Sequence, residues 1–279
     1  MRETIRPSLW RAALAVTRRQ WINYVRYPSW FISLIIWPVL FPFAYIFTTR
    51  ALAGPDNIAL GTFAELAGTV DYAGFIAIGT TFWMWFNMML WGFGGALRTE
   101  QMRGTMESNY LAPVPKVFLL LGGFLAEAIM GLFMMGISAT TLYLVYGVRS
   151  LGSVWHLGLI ALISVPSIYG IGTIFASLVL VAKETNAMIF FVRGLMTVFC
   201  GVTYPLGMLP GWMQAVSRSL PLTHSISAVR HVVAGGSITG LVPELRFLAV
   251  SGVLLLLAGF IVYLAVNRRL LDSGTVGQY

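Results

Sequence analysis

The stretch RTEQMRGTMESNYLAPVPK, from Arg98 to Lys116, is a polar island between two long apolar runs. Arg98, Glu100, Arg103, Glu107 and Lys116 lie within it, in a chain of 279 residues that has only 18 basic and 10 acidic side chains. Ionised groups are costly in hydrocarbon, so a membrane-embedded chain keeps such a segment at the water interface. The segments flanking it are read as membrane spans, and the island itself as something a soluble partner can meet.

The bulk composition supports that frame. The chain is 58% hydrophobic and 10% charged, with a mean hydropathy of +0.80. A soluble domain carries roughly 25% charged residues. Several windows exceed the roughly 18 apolar residues that mark a span. The runs are continuous rather than alternating, which favours helices over a barrel. The net charge of +8 is read as basic loops on the cytoplasmic side, not as a nucleic-acid surface, because no basic stripe with interleaved aromatics stands free of the apolar runs. Cys200 is the lone cysteine, and His156, His224 and His231 are scattered, so neither a disulfide framework nor a metal site is expected. Six arginines within residues 1–30, interrupted by Trp10, Trp21 and Tyr24, do not resemble a cleavable signal peptide.

The expected fold is all-α and polytopic, one transmembrane domain over residues 1–279. Residues 8–27 alternate apolar and Arg positions at helical spacing and carry Trp and Tyr, which suits an interfacial amphipathic helix. A helix packed on a partner is the alternative. Six spans are expected at about 31–48, 73–97, 117–146, 157–181, 187–203 and 245–266, with Pro38 and Pro42 inside the first. Residues 50–71, with Gly-Pro-Asp-Asn at 54–57, read as a polar loop. Residues 203–230 are too apolar for a solvated loop and too broken by Pro and Gly for a straight helix, so a re-entrant or interfacial hairpin is expected there. Six spans place both termini on one side. Thirteen basic residues fall on that side, from Arg2 to Arg269, and five on the other: Arg50, Arg149, Arg218, Arg230 and Arg246. The termini and the island are therefore expected in the cytoplasm.

Within the island, residues 99–110 have helix start and stop signals, with Thr99 as N-cap and Pro113 and Pro115 as barriers to continuation. Met102, Met106 and Tyr110 fall four apart and form an apolar stripe. Glu100 with Arg103, and Arg103 with Glu107, can pair on the other face. The alternative is an ordinary charged turn.

Glu100-x-x-x-Gly104-Thr105-x-Glu107 followed by Pro113-Val114 resembles the cytoplasmic signature of ABC-2 type transporter permeases. So does the pattern Gly201-Val-x-Tyr204-Pro205, Leu209-Pro210-x-Trp212, Leu220-Pro221-Leu-Thr223 and Arg230, which resembles that family's re-entrant extracellular hairpin. Ser108-Asn109 departs from the family, which usually carries Leu there. The resemblance covers most of the chain. It implies that residues 99–110 are a coupling helix that docks on an ATPase subunit through Glu100, Met102, Arg103, Gly104, Thr105, Met106, Glu107 and Tyr110. It further implies two ATPase subunits that bind ATP and Mg, and a second copy of this chain. The sequence itself holds no Gly-x-x-x-x-Gly-Lys-[Ser/Thr] loop and only Lys116 and Lys183 as lysines, so no catalytic site and no cofactor are expected in this chain.

Phe82, Trp83 and Phe86 of the second span could line a path for an amphipathic compound, or pack between helices. Glu127, about 15 Å along the third span, is a candidate for the same path or a structural partner of Arg193. Gly92, Gly94 and Gly95 permit close approach, between helices or between subunits. Gly201, Tyr204, Pro205, Pro210, Trp212 and Pro221 are the expected framework of the hairpin. The resulting reading is the permease subunit of an ATP-driven exporter in the plasma or inner membrane, moving a drug, lipid or related amphiphile by alternating access. Alternatives are lipid-linked polysaccharide export within the same family, and an ATP-independent carrier or channel. No inverted repeat is visible, which weighs against the carrier.

Overall fold

The computed structural model describes residues 9–27, 29–53, 58–112 and 114–272. Pro113, the Gly-Pro-Asp-Asn sequence at 54–57, Arg2 and Arg6 lie outside the described residues. Every regular element among the described residues is helical. In order these are α1 (Leu9–Arg26), α2 (Ser29–Leu52), α3 (Ile58–Ala67), α4 (Tyr72–Met89), α5 (Gly95–Met102), α6 (Thr105–Leu111) and α7 (Lys116–Leu144). Next come α8 (Val154–Ala182), α9 (Thr185–Phe199), α10 (Gly211–Ser219), α11 (Pro221–Val233) and α12 (Val242–Asp272).

Five helical segments are long and apolar enough to cross a membrane: Phe31–Leu52, Tyr72–Met102, Lys116–Leu144, Val154–Ala182 and Ile238–Asp272. The sixth expected span, 187–203, is the 15-residue α9. At 1.5 Å per residue it covers roughly 22 Å, short of a hydrocarbon core of about 30 Å. The apolar chain beyond it turns at Cys200 and Gly201, where Gly201 takes φ of +61°, and continues through α10 and α11. The 50–71 loop also holds a helix that its polar residues did not announce. In α3, Phe63 packs edge-on against Phe75 with centroids 5.1 Å apart.

The second span is the centre of the bundle. Asp71 caps α4 by accepting from the Gly74 amide at 2.8 Å. Phe82, Trp85, Phe86, Met89, Leu90 and Phe93 are then all buried. Between Leu90 and Gly94 the helix widens into a π-turn, which inserts one residue into the ladder and reorients the side chains of α5. Here the small residues matter. A Cβ at Gly92 would stand 2.6 Å from a Glu127 oxygen, and one at Gly94 2.7 Å from Phe175. These glycines therefore serve contacts within one chain.

α8 and α12 pack along much of their lengths. Gly170, Gly252 and Gly259 line that seam, and an added Cβ at each would lie within 3.0 Å of the facing helix. α2 and α12 remain the least buried spans. α1 does not stand clear of the bundle but runs along the first part of α7. Trp10 meets Phe118 edge-on at 6.0 Å, and Thr17 donates to the Gly122 carbonyl at 3.0 Å. Tyr24 then donates to Glu127.

Candidate functional site

The island folds as two short helices, not as one helix over 99–110. α5 is the end of the second span, and Thr99 lies inside it, donating to the Gly95 carbonyl at 3.0 Å rather than capping. The chain breaks at Gly104, whose φ of +69° is a left-handed conformation that costs any L-residue with a Cβ. That break defeats the expected stripe, because four-residue spacing aligns side chains only along one uninterrupted helix. Met106 turns inward, 3% exposed, against Leu180 and Leu270. Tyr110 donates to Asn267 of α12, and burial pushes its phenol up to about 12. Met102 faces outward, 56% exposed.

The carboxylate of Glu100 is likewise engaged within the chain. It pairs with Arg19 of α1 at 2.6 Å, and accepts from Thr105 and from Asn109 at 3.1 Å, rather than from Arg103. Asn109, part of the departure from the family pattern, thus braces α6 from within. Lys116 donates to the carbonyls of Asn109 at 3.0 Å and Ala112 at 2.9 Å, satisfying orphan acceptors at the C-terminus of α6. The part that projects is a compact tip made of Met102, Arg103, Gly104, Thr105, Glu107, Ser108 and Leu111. Leu111 is 86% exposed and had not stood out in the sequence. A stripe that put the apolar face on Met102, Met106 and Tyr110 gave no reason to look for an apolar contact beside Glu107.

The candidate path residues are core residues. Phe82, Trp83 and Phe86 are buried, so these rings pack between helices in the single chain. Glu127 is buried too. One of its oxygens accepts from Tyr24, and its backbone carbonyl accepts from Tyr169 at 2.6 Å. Its second carboxyl oxygen is buried without a hydrogen-bond partner. It does not pair with Arg193. Tyr24→Phe would strip the carboxyl of that donor, at a cost of about 1–3 kcal/mol for the buried acceptor left unmet. We expect roughly tenfold faster trypsin cleavage at Arg18, Arg19 and Arg26 of α1, while Glu127→Gln keeps an acceptor and cleaves at the parental rate.

Arg193 instead places its guanidinium over two rings, 5.4 Å from the Trp83 centroid and 4.9 Å from that of Phe190. Trp83 is fixed by donating to Thr197 at 2.7 Å. Beside Arg193 opens a cleft of about 490 Å³ between α2, α4, α7 and α9, lined by Trp37, Phe41, Asn87, Met88 and Trp91 among others. Sequence reasoning singled out neither Asn87 nor Trp37. Their residue types are ordinary in an apolar helix, and only packing brings them together.

At the opposite end of the bundle the hairpin residues form a framework. Tyr204 donates to the Val198 carbonyl, and Pro205 precedes a 3₁₀ turn, Leu206–Met208. Pro210 precedes α10, Trp212 meets Phe199 edge-on at 6.3 Å, and Pro221 opens α11. The residue that joins them is Arg230. It donates to the carbonyls of Gly201 at 2.9 Å, Val202 at 2.9 Å and Phe75 at 2.8 Å, with its guanidinium carbon 3.3 Å from the Phe75 centroid.

Comparison with known proteins places the chain in a family. The chain is 26% identical over 243 residues to the daunorubicin resistance ABC transporter permease protein DrrB1 of Streptomyces coeruleorubidus, covering 81% of this chain and 74% of that protein. Residues 11–233, from α1 through α11, match the family described as ABC-2 type transporter. A bundle of apolar spans with a short helix pair projecting between the second and third carries that match across most of its length, and the chain belongs to the ABC-2 type transporter family.

Proposed function

We propose that this chain is the membrane-spanning subunit of an ATP-driven exporter, working as a pair of copies with two separate ATPase subunits. The observation that carries this is the α5–α6 tip. It is exposed and polar, yet anchored through Met106, Tyr110 and Glu100 to α12, α8 and α1. A push on such a knob is transmitted to three helices at once instead of being absorbed by a loose loop. Most basic side chains cluster at this end, including Arg18, Arg19, Arg103, Lys183, Arg268 and Arg269, which supports placing it and both termini in the cytoplasm of a plasma or inner membrane. Arg103 and Glu107 are the polar docking contacts, and Met102 and Leu111 the apolar ones. ATP closure of the partner subunits moves the tips, and the paired bundles alternate between inward and outward access.

The cargo is an amphipathic compound, drug or lipid. The relative's name refers to resistance to a drug, and a cleft of about 490 Å³ is within the roughly 300–1,000 Å³ range of small-molecule sites. Co-purification with a candidate ABC ATPase partner, in lipid, tests the reading. Substrate-stimulated hydrolysis should fall about tenfold in a Glu107→Ala, Leu111→Ala double variant, on the scale of an interface anchor. Hydrolysis and export at parental levels in that variant would remove the tip from the mechanism.

A further inference from the structure

The cleft between α2 and α9 is not uniformly apolar. Aromatic and thioether side chains make up half of its lining residues, but Arg193 enters it from α9, Asn87 from α4, and Ser29 and Ser33 from α2. Among the described residues no carboxylate pairs with Arg193, and its side-chain N–H groups meet no acceptor. The Trp83 and Phe190 rings contact the guanidinium itself. Stacking uses the π faces of an arginine and leaves in-plane donors available for a planar or tetrahedral anion. Asn87 carries a buried side-chain oxygen with no hydrogen-bond partner. Its amide presents either that oxygen or, turned by half a rotation, two N–H donors. An unneutralised cation and an unmet amide are costly beside hydrocarbon, and retaining both implies a counterpart that arrives with the ligand.

We propose that this cleft selects anionic amphiphiles, with Arg193 as the specificity-determining residue. The occupant is a free amphiphile whose carboxylate, sulfate or phosphate lies on Arg193 and hydrogen-bonds to Asn87. Its apolar body lies against Trp37, Phe41, Met88 and Trp91. The cleft prefers such a molecule to a cation of the same shape, because a cation places like charges together where little solvent screens them. The inference rests on the export reading only for the fate of the occupant, since the binding step needs no ATPase.

The test uses the full chain in nanodiscs of phosphatidylcholine. Energy transfer from the tryptophans of the chain, Trp37 and Trp91 in the cleft wall among them, to a dansyl group is followed with two probes of equal chain length, dansyl-undecanoate and its trimethylammonium counterpart. The expected result is saturable binding of the anion, roughly tenfold or more tighter than the cation. Arg193→Gln should abolish the preference, while Arg193→Lys retains part of it, a readout that loss of fold would not give. Equal affinities for the two probes, an unchanged preference in Arg193→Gln, or a signal that never saturates would each overturn the proposal. So would complete displacement of the anion by phosphatidylglycerol added to the nanodisc, which would make a resident lipid the occupant. Failure of export in the presence of the ATPase, with the binding preference intact, would sink the exporter reading and leave this one standing.

Discussion

Gly104→Pro is expected to insert normally but lose coupling to hydrolysis, with substrate-stimulated ATPase activity reduced to the basal rate. The cause is local. Gly104 joins α5 to α6 at φ of +69°, and proline is confined to about −65°. The chain cannot keep both the Met106 contact with Leu180 and Leu270 and the Glu100 contacts with Thr105 and Asn109 while rotating φ through more than a hundred degrees. Either the tip detaches from the bundle or it projects in another direction. Gly104→Asn should retain much of the coupling and Gly104→Ala less, because asparagine tolerates the left-handed region better while alanine bears a strain of about 1 kcal/mol. Measuring stimulated hydrolysis across the three variants, beside a monodisperse elution profile for each, checks the order. Equal activity in all three would mean that the shape of the turn is irrelevant to coupling.

Arg230→Ala should show the largest loss of stability of any single side chain at the opposite end. The guanidinium binds three carbonyls on two segments distant in sequence and lies on the Phe75 ring. Removing it leaves the carbonyls of Phe75, Gly201 and Val202 without this donor, and hydrogen bonds to charged groups contribute about 1.5–3 kcal/mol each. Allowing for partial rescue by water, a net loss of about 3 kcal/mol is expected, or a fall of roughly 6–12 °C in Tm for a chain of this size. Arg230→Lys should recover less than half. A single ammonium cannot reproduce a planar fork that reaches Gly201 and Val202 on one side and Phe75 on the other. Thermal unfolding in detergent, followed by tryptophan emission, is the measurement. A melting point within about 2 °C of the parent, roughly the effect of a fraction of one such bond, would show that the hairpin is held elsewhere.

These two positions mark how far the sequence could be read. Gly104 and Arg230 both belonged to recognisable patterns, yet their roles did not follow from the patterns. The periodicity of Met102, Met106 and Tyr110 assumed a continuous helix and passed over a local stop signal, the glycine directly after Arg103, whose positive φ ends α5. Glu100 had Arg103 nearby in sequence as a partner of opposite charge, but took Arg19 from 81 residues away. Glu127 and Arg193, matched as opposite charges in the third and fifth spans, found an aromatic hydroxyl and two aromatic rings instead.

Composition and hydropathy by themselves determined that the chain is a helical membrane protein. The order of its motifs determined the family, because continuous apolar runs leave the backbone no alternative to helix and the polar island no alternative to water. Only the tertiary structure decided which faces of those helices meet. It buried Phe82, Trp83 and Phe86, turned Met106 and Tyr110 inward, left Leu111 exposed, and brought Arg193 and Asn87 to the wall of one cleft. The reason lies in the periodicity of these spans. They are apolar on every side, so hydropathy carries no stripe to say which side is core, and the choice falls to close packing at glycines and to a few polar groups that must find one another.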